Sequence, residues 1–146
     1  VHAVYEESGI QAELAAFFSG IPARLARAHL VIGRSGASTV SELAATGRPA
    51  IMIPYPHAID NHQRENAARL CDAGGGWLVP QEDATSASLS GLIRSLLGSP
   101  DKLQRAAECA RRVGVTHAAE RLADLVCELI GDKALVEPEQ PKEAMA

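Results

Sequence analysis

Long apolar runs, basic clusters and paired cysteines are all missing from this sequence, and each absence excludes a class of protein. No apolar stretch approaches the roughly 20 residues that a bilayer span needs. No charged segment followed by an apolar one opens the chain, as a secretory signal does. The 14 Lys and Arg residues against 18 Asp and Glu give a net charge of -4, and no basic run is long enough to follow a phosphate backbone. We therefore expect neither a membrane-spanning protein nor a nucleic-acid partner.

The cysteines are few and widely spaced. Cys71, Cys109 and Cys127 form an odd set without a CxxC pair, which predicts neither a disulfide framework nor a zinc site. A reducing cytosol is the expected compartment. The chain has 146 residues, of which 47% are hydrophobic, so it has the length of one domain and enough apolar side chains for a buried core.

Short apolar or β-branched runs alternate with helical patterns, which is typical of βαβ units around a parallel sheet. Strands are predicted over residues 1–5, 29–33, 50–53 and 77–79, and helices over residues 21–28, 39–46, 60–73, 86–97, 101–112 and 116–130. Residues 12–18 favour neither helix nor strand clearly. Because the first predicted strand starts at residue 1, we expect a preceding part of the protein to be missing. Residues 132–146 have little to bury, so we expect a disordered tail.

A turn of small residues follows the strand predicted over residues 29–33 and leads directly into a helix. In open parallel sheets ligands bind at the carboxyl ends of strands, where such a turn lets backbone N–H groups meet a phosphate at the positive end of the helix. The segment from Gly33 to Thr39 is neither a P-loop nor a GxGxxG motif. It is therefore either a phosphate site or an ordinary tight connection in which Gly36 supplies conformational freedom.

Glu42 also has two interpretations. Thr39 and Glu42 match a capping box, in which Thr39 is the N-cap residue and the two side chains satisfy each other's backbone donors. Alternatively, a carboxylate one turn into a helix below a phosphate can accept both hydroxyls of a ribose. The residues alone favour the capping box.

A polar segment opens the next helix, with His57 just before it. The segment is Asp60-Asn61-His62-Gln63-Arg64-Glu65-Asn66. Gln63 and Asn66 are three apart and share a helix face, and amides with an imidazole suit sugar hydroxyls, which both donate and accept. The alternatives are a solvated first turn capped by Asp60, or a metal pair of His57 and His62. No third ligand stands at a recognisable spacing, so no metal site is predicted.

Three segments together resemble, in order and spacing, the donor domain of the MurG family of GT-B glycosyltransferases, which belong to glycosyltransferase family 28. They are residues 30–43, residues 47–56, and residues 60–63 with Asn66 and Ala67. The resemblance implies an α/β fold in which a Rossmann-like parallel sheet with flanking helices forms the C-terminal half of a GT-B enzyme, truncated at its N-terminus. Residues 1–131 would be the partial UDP-GlcNAc donor-binding domain, and residues 132–146 the tail.

The family also implies an activity. It is an inverting transfer of N-acetylglucosamine from UDP-GlcNAc to lipid I, giving lipid II of peptidoglycan, without metal or cofactor. By position, Glu42 would bind the ribose hydroxyls, and the backbone of Gly36, Ala37, Ser38 and Thr39 the α-phosphate. His62 and Gln63 would contact the sugar, with Asn66 supporting them. Phe17 and Phe18 would cradle uracil, and Arg34 would buttress the loop that contains Ser35.

The sequence departs from the family in several ways. His29 stands where relatives commonly have an acidic residue, and we expect no function for it. A glycine-rich loop and an N-terminal domain, which holds the lipid acceptor and the catalytic base, are missing, so no base is named. We expect weak donor binding without turnover, and peripheral association of the full-length bacterial protein with the cytoplasmic side of the plasma membrane. Another UDP-sugar transferase, or a non-catalytic nucleotide-sugar binding module, remains an alternative.

Overall fold

The computed structural model describes residues 2–130, so the predicted tail over 132–146 lies outside the described residues. The elements are α1 (His2–Ser8), α2 (Ile21–Arg27), β1 (Val31–Gly33), α3 (Ala37–Thr46), β2 (Ala50–Met52), α4 (His62–Asp72), β3 (Gly76–Leu78), α5 (Ser86–Leu97), α6 (Pro100–Val113) and α7 (Ala118–Ile130). Short 3-10 turns cover Ile59–Asn61 and Gln81–Asp83. The chain divides into two compact units, Val1–Gly114 and Val115–Ala146, and α7 belongs to the second. The sheet and the predicted site lie in the first.

The three strands form one parallel sheet in the order β1-β2-β3. Val31 is paired with Ala50, and Ala50 in turn with Gly76. Right-handed crossovers between consecutive neighbours place the connecting helices on one face of a sheet. In agreement, α3 and α4 pack against each other and against a shared core. The predicted α/β class with a parallel sheet is confirmed.

The core lies between this face of the sheet and helices α3, α4 and α6. Its buried members are Val40, Leu43, Ala44, Ala50, Met52, Ala67, Leu70 and Ala110. All three residues of β2 have no exposed surface, as expected for a central strand that is covered on both faces. The helix α3 ends in Gly47 at φ 61°, where the Arg48 N–H donates to the Leu43 carbonyl in a Schellman motif. This turn fixes how α3 leads into β2.

The prediction of a strand over residues 1–5 is wrong, because α1 covers this segment. A strand needs a neighbour to pair its backbone groups, whereas a helix pairs them internally. Within the described residues the sheet has three strands and none of them comes from this segment. The ambiguous residues 12–18 form neither helix nor strand.

Both predicted helix caps are also wrong. Helix α3 begins at Ala37 with Gly36 as its N-cap residue, so Thr39 lies inside the first turn and forms no capping box with Glu42. The small residues before Thr39 let the chain enter the helix three positions earlier than the capping box predicted. Helix α4 has Asn61 as its N-cap residue at φ 54°, without a side-chain cap, and Asp60 lies in the preceding turn at φ 50°.

Gly76 marks the closest approach between two strands. A Cβ atom built on it would lie 2.5 Å from the Ala50 carbonyl oxygen on β2. Gly91, inside α5, is the opposite case, since nothing lies within 4 Å of a Cβ atom placed there.

We expect Gly76→Ala to lower the free energy of unfolding by about 1–3 kcal/mol, because β3 must move away from β2. Gly91→Ala should leave it unchanged or raise it by up to about 1 kcal/mol, because alanine favours a helix. Urea unfolding of both variants checks this. Equal stability of the two variants would contradict the strand contact.

Candidate functional site

The turn after β1 delivers the start of α3 to the carboxyl edge of the sheet. The strand ends at Gly33 and the helix begins at Ala37. The Val40 N–H donates to the Gly36 carbonyl, but within residues 2–130 the N–H groups of Ala37, Ser38 and Thr39 have no backbone acceptor. These groups stand at the positive end of the helix dipole. The start of α3 therefore presents donors of the kind that bind anions, and phosphate binding there stays a prediction.

Glu42 lies one turn further along α3 and is exposed. Its main-chain carbonyl accepts a 2.7 Å hydrogen bond from the Thr46 hydroxyl. In the described part of the chain, its carboxylate takes part in no hydrogen bond or salt bridge. Because the capping box does not form, this carboxylate is left to accept hydrogen bonds from a ligand.

Ser35 joins the β1–α3 turn to α4 by two hydrogen bonds that run in opposite directions. Its buried hydroxyl donates to the Gln63 carbonyl oxygen at 2.7 Å, and the Asn66 side-chain amide donates to the Ser35 carbonyl oxygen at 3.2 Å. We call this pair the Ser35 clamp. It brings together the two segments that the sequence singled out, residues 33–39 and residues 60–66.

The Gln63 side chain is oriented by the loop after β2. Its Oε1 atom accepts a 3.0 Å hydrogen bond from the Tyr55 backbone N–H. Since a backbone N–H can only donate, this contact determines which end of the amide is the oxygen. The Gln63 NH2 group is thereby the end left for a ligand, while the neighbouring His62 is exposed.

Arg34 holds the β1–α3 turn against the end of β2. Its Nη1 atom donates to the carbonyl oxygens of Ile53 at 3.1 Å and Pro54 at 3.2 Å, and its guanidinium lies 5.7 Å from the centre of the Tyr55 ring. These contacts agree with the predicted role of Arg34 as a buttress. The two hydrogen bonds hold the loop that carries Ser35 against the residues that follow β2.

The predicted uracil segment lies beside α2. Phe17 is 85% exposed, and the Arg24 guanidinium lies 4.3 Å from the centre of the Phe18 ring. Arg24 also donates to both carboxylate oxygens of Glu13 at 2.6 and 2.7 Å, which lowers the pKa of Glu13 and raises that of Arg24. Helix α2 packs against α3. The role of Phe17 and Phe18 toward uracil stays a prediction.

Two cavities at the carboxyl ends of the strands add residues that the sequence analysis missed. One, of about 230 Å³, is lined by Gly33, Arg34, Ile53, Gln81, Ala84 and Leu89. The other, of about 180 Å³, is lined by Pro54, Tyr55, Pro56, Asn61, Arg64, Pro80, Gln81 and Glu82. Gln81 lies in both. Its position two residues after the predicted strand 77–79 was the available signal, because ligands bind at such strand ends.

Cys71 lies near the end of α4, whereas the proposed site lies at the start of that helix. Burial raises the pKa of the Cys71 thiol to about 11, and the nearby Asp72 adds to the effect, so this thiol is protonated at neutral pH. Among residues 2–130, no three His, Cys, Asp or Glu side chains gather as metal ligands. No helix in the same range has the length and apolar character needed to cross a membrane.

Comparison with known proteins yields one family. The model of the glycosyltransferase family 28 C-terminal domain matches residues 1–122. The chain is 60% identical over 126 residues to the UDP-N-acetylglucosamine--N-acetylmuramyl-(pentapeptide) pyrophosphoryl-undecaprenol N-acetylglucosamine transferase of Rhodospirillum rubrum, covering 86% of this chain and 33% of that protein. It is 52% identical over 134 residues to the transferase of the same name from Paramagnetospirillum magneticum, covering 92% and 36%. The chain thus spans about a third of the length of these curated relatives.

A solved structure shares the fold. The crystal structure of Acinetobacter baumannii MurG superimposes with a TM-score of 0.80 at 29% identity, covering 87% of this chain and 39% of that chain. This likeness and the family match confirm the resemblance on which the sequence analysis relied. The roles of the individual site residues stay predictions.

We expect Ser35→Ala to lower the free energy of unfolding by about 0.5–1.5 kcal/mol, because it removes one hydrogen bond that joins the β1–α3 turn to α4. Urea unfolding measures the loss. Ser90→Ala on the exposed face of α5 is the matched control, for which a change within about 0.5 kcal/mol is expected. A Ser35→Ala variant as stable as this control would show that the Ser35 clamp contributes nothing.

Proposed function

Since the chain belongs to glycosyltransferase family 28 through its C-terminal domain, we propose that it is the UDP-GlcNAc donor-binding half of an inverting N-acetylglucosaminyltransferase of peptidoglycan synthesis. The full-length enzyme transfers GlcNAc to lipid I and forms lipid II. The observation that carries the proposal is the Ser35 clamp, which joins the free start of α3 and the oriented Gln63 amide at one edge of the sheet. We propose that one nucleotide-sugar contacts both elements, with its phosphate at the start of α3 and its sugar at Gln63.

The nucleotide half of the donor lies along α3. The N–H groups at the start of this helix bind the α-phosphate, and the carboxylate of Glu42 accepts hydrogen bonds from both ribose hydroxyls. Thr39 and Glu42 are three residues apart, so they share one face of α3 and are separated by about 4.5 Å along its axis. The ribose of a nucleotide follows its α-phosphate directly. This spacing supports a phosphate at the helix end with the ribose beside the next turn.

The sugar half lies against the start of α4. The Gln63 NH2 group donates to a GlcNAc oxygen, because the other end of its amide is occupied by the Tyr55 N–H. His62, one residue earlier and exposed, offers a second polar contact. Asn66 and Ser35 act behind this contact by fixing the α4 start against the β1–α3 turn.

The reaction needs charge stabilisation on the leaving diphosphate. The donors and the dipole at the start of α3 supply it without a metal ion, because they point at the oxygens where negative charge develops. The acceptor hydroxyl of the lipid-linked N-acetylmuramyl-pentapeptide attacks the anomeric carbon from the face opposite the diphosphate, so the configuration inverts. We place the acceptor site and the base in the part of the full-length enzyme outside this chain. We propose that the full-length enzyme works at the cytoplasmic side of the bacterial plasma membrane, where it would meet a lipid-linked acceptor.

We expect Glu42→Ala to weaken UDP binding by about 1–3 kcal/mol, because the ribose loses hydrogen bonds to a charged group. Its thermal stability should stay close to that of the parent, since Glu42 caps no helix. Isothermal titration and a melting curve measure the two quantities. Glu108→Ala, which removes an exposed carboxylate from α6, is the matched control. Normal UDP binding by folded Glu42→Ala would remove Glu42 from the site.

We also expect UDP-GlcNAc to bind more tightly than UDP, with UDP-glucose as a third ligand to compare. Gln63→Ala should weaken UDP-GlcNAc by about 0.5–1.5 kcal/mol, as for one neutral hydrogen bond, and leave UDP unchanged. UDP binding is thus the internal control for folding. Equal binding of all three ligands by the parent chain would rule out sugar contacts by His62 and Gln63. If the full-length protein binds none of the three ligands, a non-catalytic scaffold is favoured.

A further inference from the structure

A larger cavity lies at the opposite edge of the sheet from the proposed donor site. Its volume is about 420 Å³, and its lining includes His29, Arg48, Leu97, Leu103 and Ala107. His29 precedes β1 and Arg48 precedes β2, so the cavity lies at the amino ends of these parallel strands. Its volume falls within the range of small-molecule sites, roughly 300–1,000 Å³. We call it the Arg48 groove.

The walls of the Arg48 groove are mostly apolar. Leu97 at the end of α5 and Leu103 and Ala107 on α6 supply aliphatic surface, and 55% of Leu97 is exposed. No Asp or Glu lines the groove, although acidic residues outnumber basic ones in the chain. The groove therefore combines an apolar wall with a positive charge that no acid among its lining residues neutralises.

The guanidinium of Arg48 is incompletely satisfied. Its Nη1 atom donates to the Ala28 carbonyl oxygen at 3.1 Å, while its Nε atom is buried and has no acceptor within residues 2–130. A buried donor without a partner costs about 1–3 kcal/mol, so such groups usually have an acceptor. Because the bond to Ala28 uses Nη1, the edge formed by Nε and Nη2 remains without an acceptor among the described residues. The parallel N–H groups of this edge match the two oxygens of a carboxylate.

The structure favours a carboxylate over a phosphate in this groove. Helix α6 begins beside it, but the backbone N–H groups of Lys102 and Leu103 already donate to the Ser99 carbonyl. The charged group of the groove is thus the single Arg48 guanidinium, with His29 and Gln104 as the other side chains in the lining that can donate. A doubly charged phosphate usually takes several charged or helix-end donors. A ligand with one carboxylate and an apolar body matches both the single positive charge of Arg48 and the aliphatic walls of the groove.

We propose that the Arg48 groove is a second binding site, which takes a small carboxylate with an aliphatic body. The carboxylate accepts from the free edge of Arg48, after the guanidinium turns slightly to expose Nε, and the aliphatic chain packs along Leu97, Leu103 and Ala107. The site lies at the other end of the strands from Glu42 and Gln63. It is therefore independent of the proposed donor site.

The test uses octanoate as the probe on the full 146-residue chain, followed by isothermal titration and by amide NMR shifts. Octanoate should bind and shift the amides of His29, Leu97 and Leu103. Octan-1-ol, with the same chain but no charge, should bind at least tenfold more weakly. Arg48→Gln should lower octanoate affinity at least tenfold, whereas Arg105→Gln, an exposed arginine on α6 outside the lining, should leave it unchanged.

Several outcomes would overturn the second site. They are absence of octanoate binding, equal binding of octanol, tighter binding of octyl phosphate, or unchanged affinity in Arg48→Gln. If Arg48→Gln melts early, Leu97→Ala decides instead, because this exposed side chain can be shortened without opening the core. It should weaken octanoate severalfold. UDP should not compete with octanoate, because the two sites lie at opposite ends of the strands. A chain that fails to bind octanoate but binds UDP would overturn only the Arg48 groove. A chain that binds octanoate but not UDP would overturn only the donor site.

Discussion

The hydrogen bonds of Ser35 to the start of α4 are the constraint on which the proposed site depends. The β1–α3 turn and the segment between β2 and α4 follow different strands, and direct contacts between them fix their relative positions. The buried Ser35 hydroxyl and the Asn66 amide do so through main-chain carbonyls 28 and 31 residues away in sequence. Each bond joins a side-chain donor to a main-chain carbonyl, so the Ser35 and Asn66 rotamers link the backbone of the β1–α3 turn to the backbone of the α4 start.

Polar side chains at this edge divide into those that build the loops and those left for a ligand. The Arg34 and Asn66 side chains donate hydrogen bonds to main-chain carbonyls, and the Gln63 side-chain oxygen accepts one from the Tyr55 backbone N–H. The carboxylate of Glu42 and the N–H groups at the start of α3 have no such partner among the described residues. This division separates the positioning residues from the groups that we propose to contact UDP-GlcNAc.

The same criterion identifies the second site at the amino ends of the strands. There the polar group left over is the free edge of Arg48, and the surroundings are aliphatic instead of polar. The two edges thus differ in the chemistry they offer. Helix donors and a carboxylate suit a sugar nucleotide, whereas a guanidinium beside leucines suits an amphiphilic anion.

From residue 21 onward the sequence by itself determined the order of strands and helices, because periodicity and turn residues are local. The helix at 86–97 was predicted with its observed bounds, and the small-residue turn at 35–38 pointed to the α3 start. Tertiary structure decided the features that depend on contacts between residues distant in sequence. It made residues 1–5 helical, it moved the α3 cap from Thr39 to Gly36, and it brought Gln81 to the site edge. A strand needs a partner, a cap depends on how the chain leaves the preceding strand, and the Ser35 contacts exist only once β1 and β2 pair.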